Sequence, residues 1–237
     1  RLRLGQEGLQ IVLPIGVAAF DEIARQVGSP ALADLMTDAA GAIVVGDGGS
    51  TFFDRFEVSR AHLMPGPTTS GDPLDDYTRG VLTGAVSEAW GGPPGNFQFR
   101  LIYPFIQAQP ALPFQRLGCA AGLPPPGPLG IQIHPTFGPW WAYRALIVVS
   151  FSVDAEPDLA SSCPACSRPC VSTCPAQAVT AAGFIPEHCI TQRMAALACR
   201  DSCASRRSCP VGAAHRYSDD QLAFHMRASF DLVAPGK

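Results

Sequence analysis

CPACSRPCVSTCP occupies residues 163–175 and ACRDSCASRRSCP residues 198–210; with Cys189 between them, these stretches hold eight of the nine cysteines in the 237-residue chain. The positions are Cys163, Cys166, Cys170 and Cys174, then Cys189, Cys199, Cys203 and Cys209. A Cys-Pro pair closes each group, at 174–175 and 209–210. The segment before them carries only Cys119. A disulfide framework would staple weakly packed parts of a chain, whereas this pattern makes one local nest of sulfur. Disulfides and structural zinc stay open as alternatives, and an iron–sulfur reading is favoured over both.

Eight thiols make two sets of four, and closely spaced thiolates ending in Cys-Pro suit a pair of [4Fe–4S] clusters, the last cysteine of each run crossing to the other cluster. By that logic Cys163, Cys166 and Cys170 join the distant Cys209, while Cys174, Cys189, Cys199 and Cys203 form the second set. Two spacings depart from the common ferredoxin pattern. Three residues separate Cys166 from Cys170, and the last group runs Cys199-x3-Cys203-x5-Cys209. Soft thiolate suits the soft cluster, so electron transfer is the first function read from this stretch. A cytoplasmic location is the matching expectation.

Working outward, the chain is long enough for one substantial core and a small appendage, at 47% hydrophobic residues. A net charge of −3 and the lack of a basic stripe argue against nucleic acid or an anionic membrane as partner. No apolar run approaches the roughly 18–20 residues that span a bilayer. Arg1-Leu2-Arg3 opens like a signal peptide, but Glu7, Pro14 and Asp21 break the apolar stretch that such a leader needs.

In the front part, residues 9–13 read as a strand and 17–27 as a helix with apolar Val17, Phe20, Ile23, Ala24 and Val27. A buried strand at 40–45 runs into a glycine-rich turn at 46–49, and Thr51 with Asp54 caps the next helix. Asp72 and Pro73 start a long helix reaching about Trp90, with a stripe of Leu74, Tyr77, Val81, Leu82, Ala85 and Ala89 and with Asp75 solvated. Alternation at 97–101 predicts a half-buried strand, and 146–153 a central one. Residues 107–139, dense in proline and glycine, predict a cavity wall or lid with a short helix over 114–121. Ser218 with Gln221 opens a last helix. Irregular alternation of strands and helices favours an α+β layered sheet over a doubly wound one. Two domains are expected, 1–156 and a cysteine module with a C-terminal helix at 157–237.

Three stretches in the same order resemble the cobalamin-processing CblC family of cyanocobalamin decyanases and alkylcobalamin dealkylases. They are GLQIVLPIGVAAFDE (8–22), IQIHPTFGPWWAYRALIVV (131–149) and RYSDDQLAF (216–224); LPFQRLGCAAG (112–122) fits the frame more loosely. The cysteine module resembles that of epoxyqueuosine reductase, which also binds base-off cobalamin. Two features depart from that second family. IQAQPALPFQRL (106–117), upstream of Ala121, lacks its acidic residue, and the helical repeats that follow its cluster module are not seen before Lys237.

The resemblance implies a nitroreductase-like (flavin-reductase) layered fold with a ferredoxin-like iron–sulfur module, binding cobalamin with its benzimidazole detached. Leu112, Pro113, Phe114, Gln115, Gln132 and Tyr143 match corrin-contacting positions, although Gln132 and Tyr143 read equally well as strand residues. His134 is read as an orienting residue, since no Asp-x-His-x-x-Gly motif occurs. Arg144 and Arg216 match arginines that hold glutathione, a candidate co-substrate; a buried guanidinium such as Arg144 needs an anionic or carbonyl partner. The expected activity is reductive removal of the upper ligand of cobalamin with electrons passed through the clusters. A ferredoxin, flavodoxin or flavin reductase would be the low-potential donor, and downstream cobalamin-dependent enzymes would take the product. A corrinoid iron–sulfur reductase of an organic substrate and a non-catalytic cobalamin or electron carrier are the alternatives.

Overall fold

The computed structural model describes residues 3–62, 72–90, 97–106, 111–154 and 159–233. The chain divides into two compact units, Arg1–Leu123 with Ala142–Asp158 and Pro124–Trp141 with Leu159–Lys237. The segment Pro124–Trp141, which precedes the expected boundary at 156, therefore packs with the cysteine-bearing part.

In the first unit, β1 (Ile11–Gly16) leads into α1 (Val17–Val27) and the short α2 (Leu32–Leu35). Then come β2 (Gly41–Gly48), α3 (Thr51–His62), α4 (Pro73–Trp90), β3 (Phe99–Ile102), α5 (Phe114–Ala120) and β4 (Trp141–Val149). The sheet order is β1-β2-β4-β3; β1 pairs antiparallel to β2 with Ile15 opposite Ala42, and β3 antiparallel to β4 with Leu101 opposite Ile147. Pro14 is tolerated inside β1 because that strand forms an edge, where a missing N–H costs least. β2 is central and buried along its whole length, as expected of a strand covered on both faces.

Helix α1 has the predicted span, and Gly28 ends it at φ 68° with its N–H on the Ala24 carbonyl. Its buried Phe20 and Ala24 pack with Ile15, Ala42, Val44, Leu117, Leu146 and Val148 into one core. Burying a side chain the size of Phe20 is worth about 1.5–3 kcal/mol. The predicted glycine-rich turn begins later than expected: Gly46 and Asp47 continue β2, because Gly46 still pairs with Ile11 and Asp47 has a partner across the sheet. The cap of α3 likewise sits one residue earlier, with the Asp54 N–H on the Ser50 carbonyl (2.8 Å) and the Ser50 hydroxyl on Asp54 Oδ2 (2.7 Å).

Asp72 caps α4 as predicted, accepting from the Leu74 N–H at 2.8 Å. Its buried line is Leu74, Thr78, Leu82 and Val86, every fourth residue, and Ala89 is exposed. Thr78 joins this line because its hydroxyl donates to the Leu74 carbonyl at 2.7 Å. The expected loop over 64–73 lies outside the described residues except for 72–73, as do 107–110 of the proline-rich tract.

The second unit begins with a loop held by the bridges Pro126↔Gln132 and His134↔Gly138. After 159 follow α6 (Pro169–Ser172), the hairpin β5 (Val179–Thr180) and β6 (Gly183–Phe184), α7 (Pro186–Ala195), α8 (Leu197–Asp201), α9 (Ala204–Arg207) and α10 (Asp219–Val233). Ser218 opens α10 as predicted, accepting the Gln221 N–H at 3.1 Å. Trp140, Tyr217 and Leu222 form this unit's small core, with the Trp140 and Tyr217 rings edge to face at 5.5 Å. The protein is thus a mixed α and β structure with a small, largely antiparallel sheet. No described helix is long and apolar enough to cross a membrane.

Candidate functional site

The first cysteine group is built by two tight turns. The Cys166 N–H donates to the Cys163 carbonyl (3.3 Å), and the Arg168 N–H donates to Cys166 Sγ (3.3 Å). Arg168 adopts φ 56°, a conformation non-glycine residues seldom take, and so redirects the chain into Pro169 at the start of α6. That short helix carries the buried Cys170. Cys209, returning from the far end of the segment, has its N–H on the Arg206 carbonyl at 3.3 Å. Cys163, Cys166, Cys170 and Cys209 line one cavity with Leu129 and Ile133 among its apolar walls. Gly127 closes one side, and a Cβ placed there would lie 3.0 Å from Cys163 Sγ.

The second group is Cys174, Cys189 on α7, Cys199 on α8 and Cys203 at the N-cap of α9. Cys174 Sγ accepts the Ala178 N–H at 3.3 Å, and Cys203 Sγ the Arg206 N–H at 3.4 Å. Gln177, at φ 52°, is the other positive-φ non-glycine among the described residues. Both such strained positions therefore directly follow cysteine turns.

Electrostatics groups the thiols in the same way. Burial, then the charges of Cys170, Cys163 and Cys166, push up the thiol of Cys209. Burial also raises Cys189, which feels Cys203, Cys174 and Cys199. Cys163, Cys170 and Cys203 are raised too, burial again leading. Cys174 goes the other way: burial opposes it, but N–H groups of Val179, Ala178 and Ala176 hold its thiol below the ordinary value. Packed together without a cation, buried thiols of this kind stay neutral; a cationic iron core supplies the charge that lets four thiolates share one site.

Each group offers four soft thiols, the donor set that an iron–sulfur cluster takes.

Of the residues matched to corrin contacts, Leu112, Pro113, Phe114, Gln115 and Tyr143 come together in the first unit. Leu112, Phe114 and Tyr143 pack against its core, the Phe114 and Tyr143 rings meeting edge to face at 5.8 Å, and Gln115 is exposed at the first turn of α5. Burial, with Cys119 nearby, keeps the Tyr143 hydroxyl protonated far above its usual range.

Gln132, His134 and Arg216 belong to the second unit. Gln132 is buried; its side-chain amide donates to the Pro124 carbonyl (3.0 Å) and its own carbonyl accepts Trp141 Nε1–H (2.9 Å). His134 Nδ1 accepts the N–H groups of Thr136 (3.1 Å) and Phe137 (3.3 Å), which orients the turn. Burial, and secondarily His215, lowers His134 to about 4, so the ring is neutral near pH 7. Exposed Arg216 donates to the Cys209 carbonyl at 3.4 Å.

Arg144, in the first unit, has the anionic partner that its burial requires. Nε and Nη2 donate to Asp47 Oδ1 (2.6 Å) and Oδ2 (3.3 Å), and the guanidinium lies 5.3 Å from the Phe52 ring centroid. Asp47, fully buried, escaped the sequence reading because it sits among glycines; a lone acid following an apolar strand was the available signal. Arg206 also escaped it. It donates twice to the Pro139 carbonyl and stacks near Trp140 (5.1 Å) and Tyr217 (4.9 Å), a role that spacing alone does not encode. Gly138, at φ 60°, lets the 137–138 backbone press against 211–212: a Cβ there would meet the Val211 carbonyl oxygen at 1.9 Å. The His-Pro-x-Phe-Gly stretch thus backs onto the loop just beyond Cys209.

No family model and no curated protein matches the chain. Its fold is nonetheless shared with solved structures. One is an epoxyqueuosine reductase from Streptococcus thermophilus, with a TM-score of 0.55 and 14% identity over 89% of this chain and 64% of that one. This chain therefore spans about 64% of that enzyme's length. A selenomethionine-labelled epoxyqueuosine reductase gives a TM-score of 0.59 and 11% identity, over 92% of this chain and 66% of the other. The B12-trafficking protein CblC of C. elegans gives a TM-score of 0.53 and 15% identity, over 94% of this chain and 86% of the other.

Proposed function

We propose that this chain is an oxidoreductase that reductively processes cobalamin, taking single electrons through two [4Fe–4S] clusters. The observation that carries the reading is a conjunction: a fold shared with CblC along 94% of the chain, and eight cysteines gathered in two mutually interacting sets of four. The first unit would have nitroreductase-like layering, and residues 157–237 would form the ferredoxin-like module. Cys163, Cys166, Cys170 and Cys209 would hold one cluster, and Cys174, Cys189, Cys199 and Cys203 the other. When bound, these clusters supply one-electron reduction at low potential.

Cobalamin, the substrate, would enter base-off, with the Leu112–Gln115 segment and the Tyr143 ring against the corrin. One electron added to cyanocobalamin breaks the cobalt–carbon bond; cyanide leaves with the electron pair and cob(II)alamin remains for downstream cobalamin-dependent enzymes. The electron comes from a low-potential ferredoxin, flavodoxin or flavin reductase. Asp47 already engages Arg144, which supports electron supply through the clusters over glutathione. The test is anaerobic incubation of the reconstituted protein with cyanocobalamin and a low-potential donor. Cyanide release with a five-coordinate cob(II)alamin spectrum is expected; unchanged cyanocobalamin beside intact clusters would reject the proposal.

A second reading, a corrinoid iron–sulfur reductase of an organic substrate, is favoured by the higher TM-score to an epoxyqueuosine reductase, 0.59 against 0.53 for CblC. The absence of an acid across IQAQPALPFQRL weighs against its epoxide version. Turnover of an epoxide or organohalide by cobalamin-loaded protein, without decyanation, would select it. Tight cobalamin binding without either reaction would leave a carrier.

A further inference from the structure

Arg193 on α7 is only 7% exposed. Its Nη2 donates to the Met226 carbonyl and to the Ser229 hydroxyl (3.2 Å) on α10, and its guanidinium lies 5.1 Å from the Phe230 ring centroid. Among the described residues no carboxylate pairs with it, and its Nε is buried without a hydrogen-bond partner. A buried guanidinium with neither a counter-charge nor all its donors satisfied is costly to keep. The sequence offers an explanation. Arg193 lies four residues beyond Cys189 in one helix, and residues so spaced share a face. The negative charges it feels are those of Cys189, Cys203 and Cys199, three members of the second cysteine group.

We propose that Arg193 is the built-in counter-charge of the cluster held by Cys174, Cys189, Cys199 and Cys203, with its unsatisfied Nε–H serving a sulfur of that cluster. This rests on the two-cluster reading. A cluster gains negative charge on reduction, so a fixed, poorly hydrated cation beside it favours the reduced form. The first group has a weaker counterpart: the cation near Cys163 is Arg168, half-exposed and therefore screened by solvent. Backbone N–H groups reach sulfurs of both sets, Arg168 on Cys166 and Ala178 and Arg206 on Cys174 and Cys203, so the buried cation is what sets the two apart. Arg193 is thus a tuning residue that raises the second cluster's midpoint above the first's, and an electron shared between the two rests on the second.

The test uses full-length protein reconstituted anaerobically, comparing wild type with Arg193→Met and Arg193→Lys. Iron content is measured first; about eight irons per chain in the wild type establishes the clusters, and two or fewer would remove the two-cluster reading itself. Redox titration monitored by electron paramagnetic resonance then resolves two midpoints, and Cys199→Ser, which alters one ligand of the second group, identifies that group's signal. Arg193→Met is expected to lower that midpoint so that its reduced-to-oxidised ratio at fixed potential falls about tenfold, or about 59 mV. Arg193→Lys, which keeps the charge, should lower it by less than half as much, and the first cluster's midpoint should not move. If Arg193→Met binds fewer irons than wild type, Arg193→Gln is titrated in its place under the same criterion. Full iron content with unmoved midpoints, or with both midpoints falling together, would overturn the proposal.

Discussion

In an Asp47→Asn protein, the Arg144 guanidinium keeps its position over the Phe52 ring but loses the carboxylate that receives Nε at 2.6 Å and Nη2 at 3.3 Å. Asp47 is fully buried and the Arg144 side chain 8% exposed, so water does not replace the missing anion. Two charges about 3 Å apart in a medium of effective dielectric ~20 attract by ~5.5 kcal/mol before desolvation is counted. Removing one partner of a buried pair costs about 3–5 kcal/mol, because the other charge stays buried. Asp75, whose carboxyl also feels Arg144, supplies part of the lost field, which places the expectation at the lower end, about 3 kcal/mol. Against a total stability of about 5–15 kcal/mol, this is easily resolved in urea unfolding monitored by circular dichroism. Replacing both partners, as Asp47→Leu with Arg144→Met, should return stability to within about 1 kcal/mol of wild type. A cost below about 1 kcal/mol for Asp47→Asn would refute Asp47 as the anion on which Arg144 depends, and would favour an external one such as glutathione.

The geometry sets three further outcomes. Burial, then the Asp72 carboxylate, pushes Asp75 up from 3.8 to about 6, so the native state holds a proton the unfolded chain has released. The Asp75 contribution to stability is therefore lost as pH rises from about 4 to 6, so the urea midpoint of wild type minus that of Asp75→Asn should fall across that window. His134 has the opposite sign: with its pKa lowered from 6.5 to about 4, the unfolded chain takes up the proton first as pH drops. That contribution is lost between about pH 6.5 and 4, and His134→Gln should remove this part of the acid-side slope in thermal unfolding. Finally, Gly127→Val would crowd Cys163 Sγ, since its Cβ alone would lie 3.0 Å away. Iron analysis should fall from about eight to about four per chain, with the second cluster retained.

Much of the first unit was legible because its elements carry local signals. The periodicity of Val17–Val27 and the Asp72–Pro73 start of α4 set their helices directly. What failed did so where a distant residue overrode a local rule. Gly46-Asp47-Gly48 reads as a turn by composition, yet the β1 ladder and Arg144 extend the strand through it. Thr78 is the exception, a local one: polar in sequence, it is buried because its hydroxyl bonds back to the previous turn of its own helix. In the second unit the cysteines declared themselves by spacing, whereas Arg193, Arg206 and Gly138 could not. Their roles depend on Ser229 in another helix, on Trp140 and Tyr217, and on the Val211 backbone. Charged residues in a nominally exposed helix and a glycine in a proline-rich loop carry no local mark of such long-range partners.

A cobalamin-reducing chain fed by two clusters has its plainest signature in one anaerobic absorbance titration of the iron-reconstituted protein with cobalamin. A broad cluster band at about 400 nm, about eight irons per chain, and a shift of added cob(II)alamin to its five-coordinate, base-off form are expected. A chain with two or fewer irons, or one with intact clusters that leaves the cobalamin spectrum unchanged, would contradict that reading.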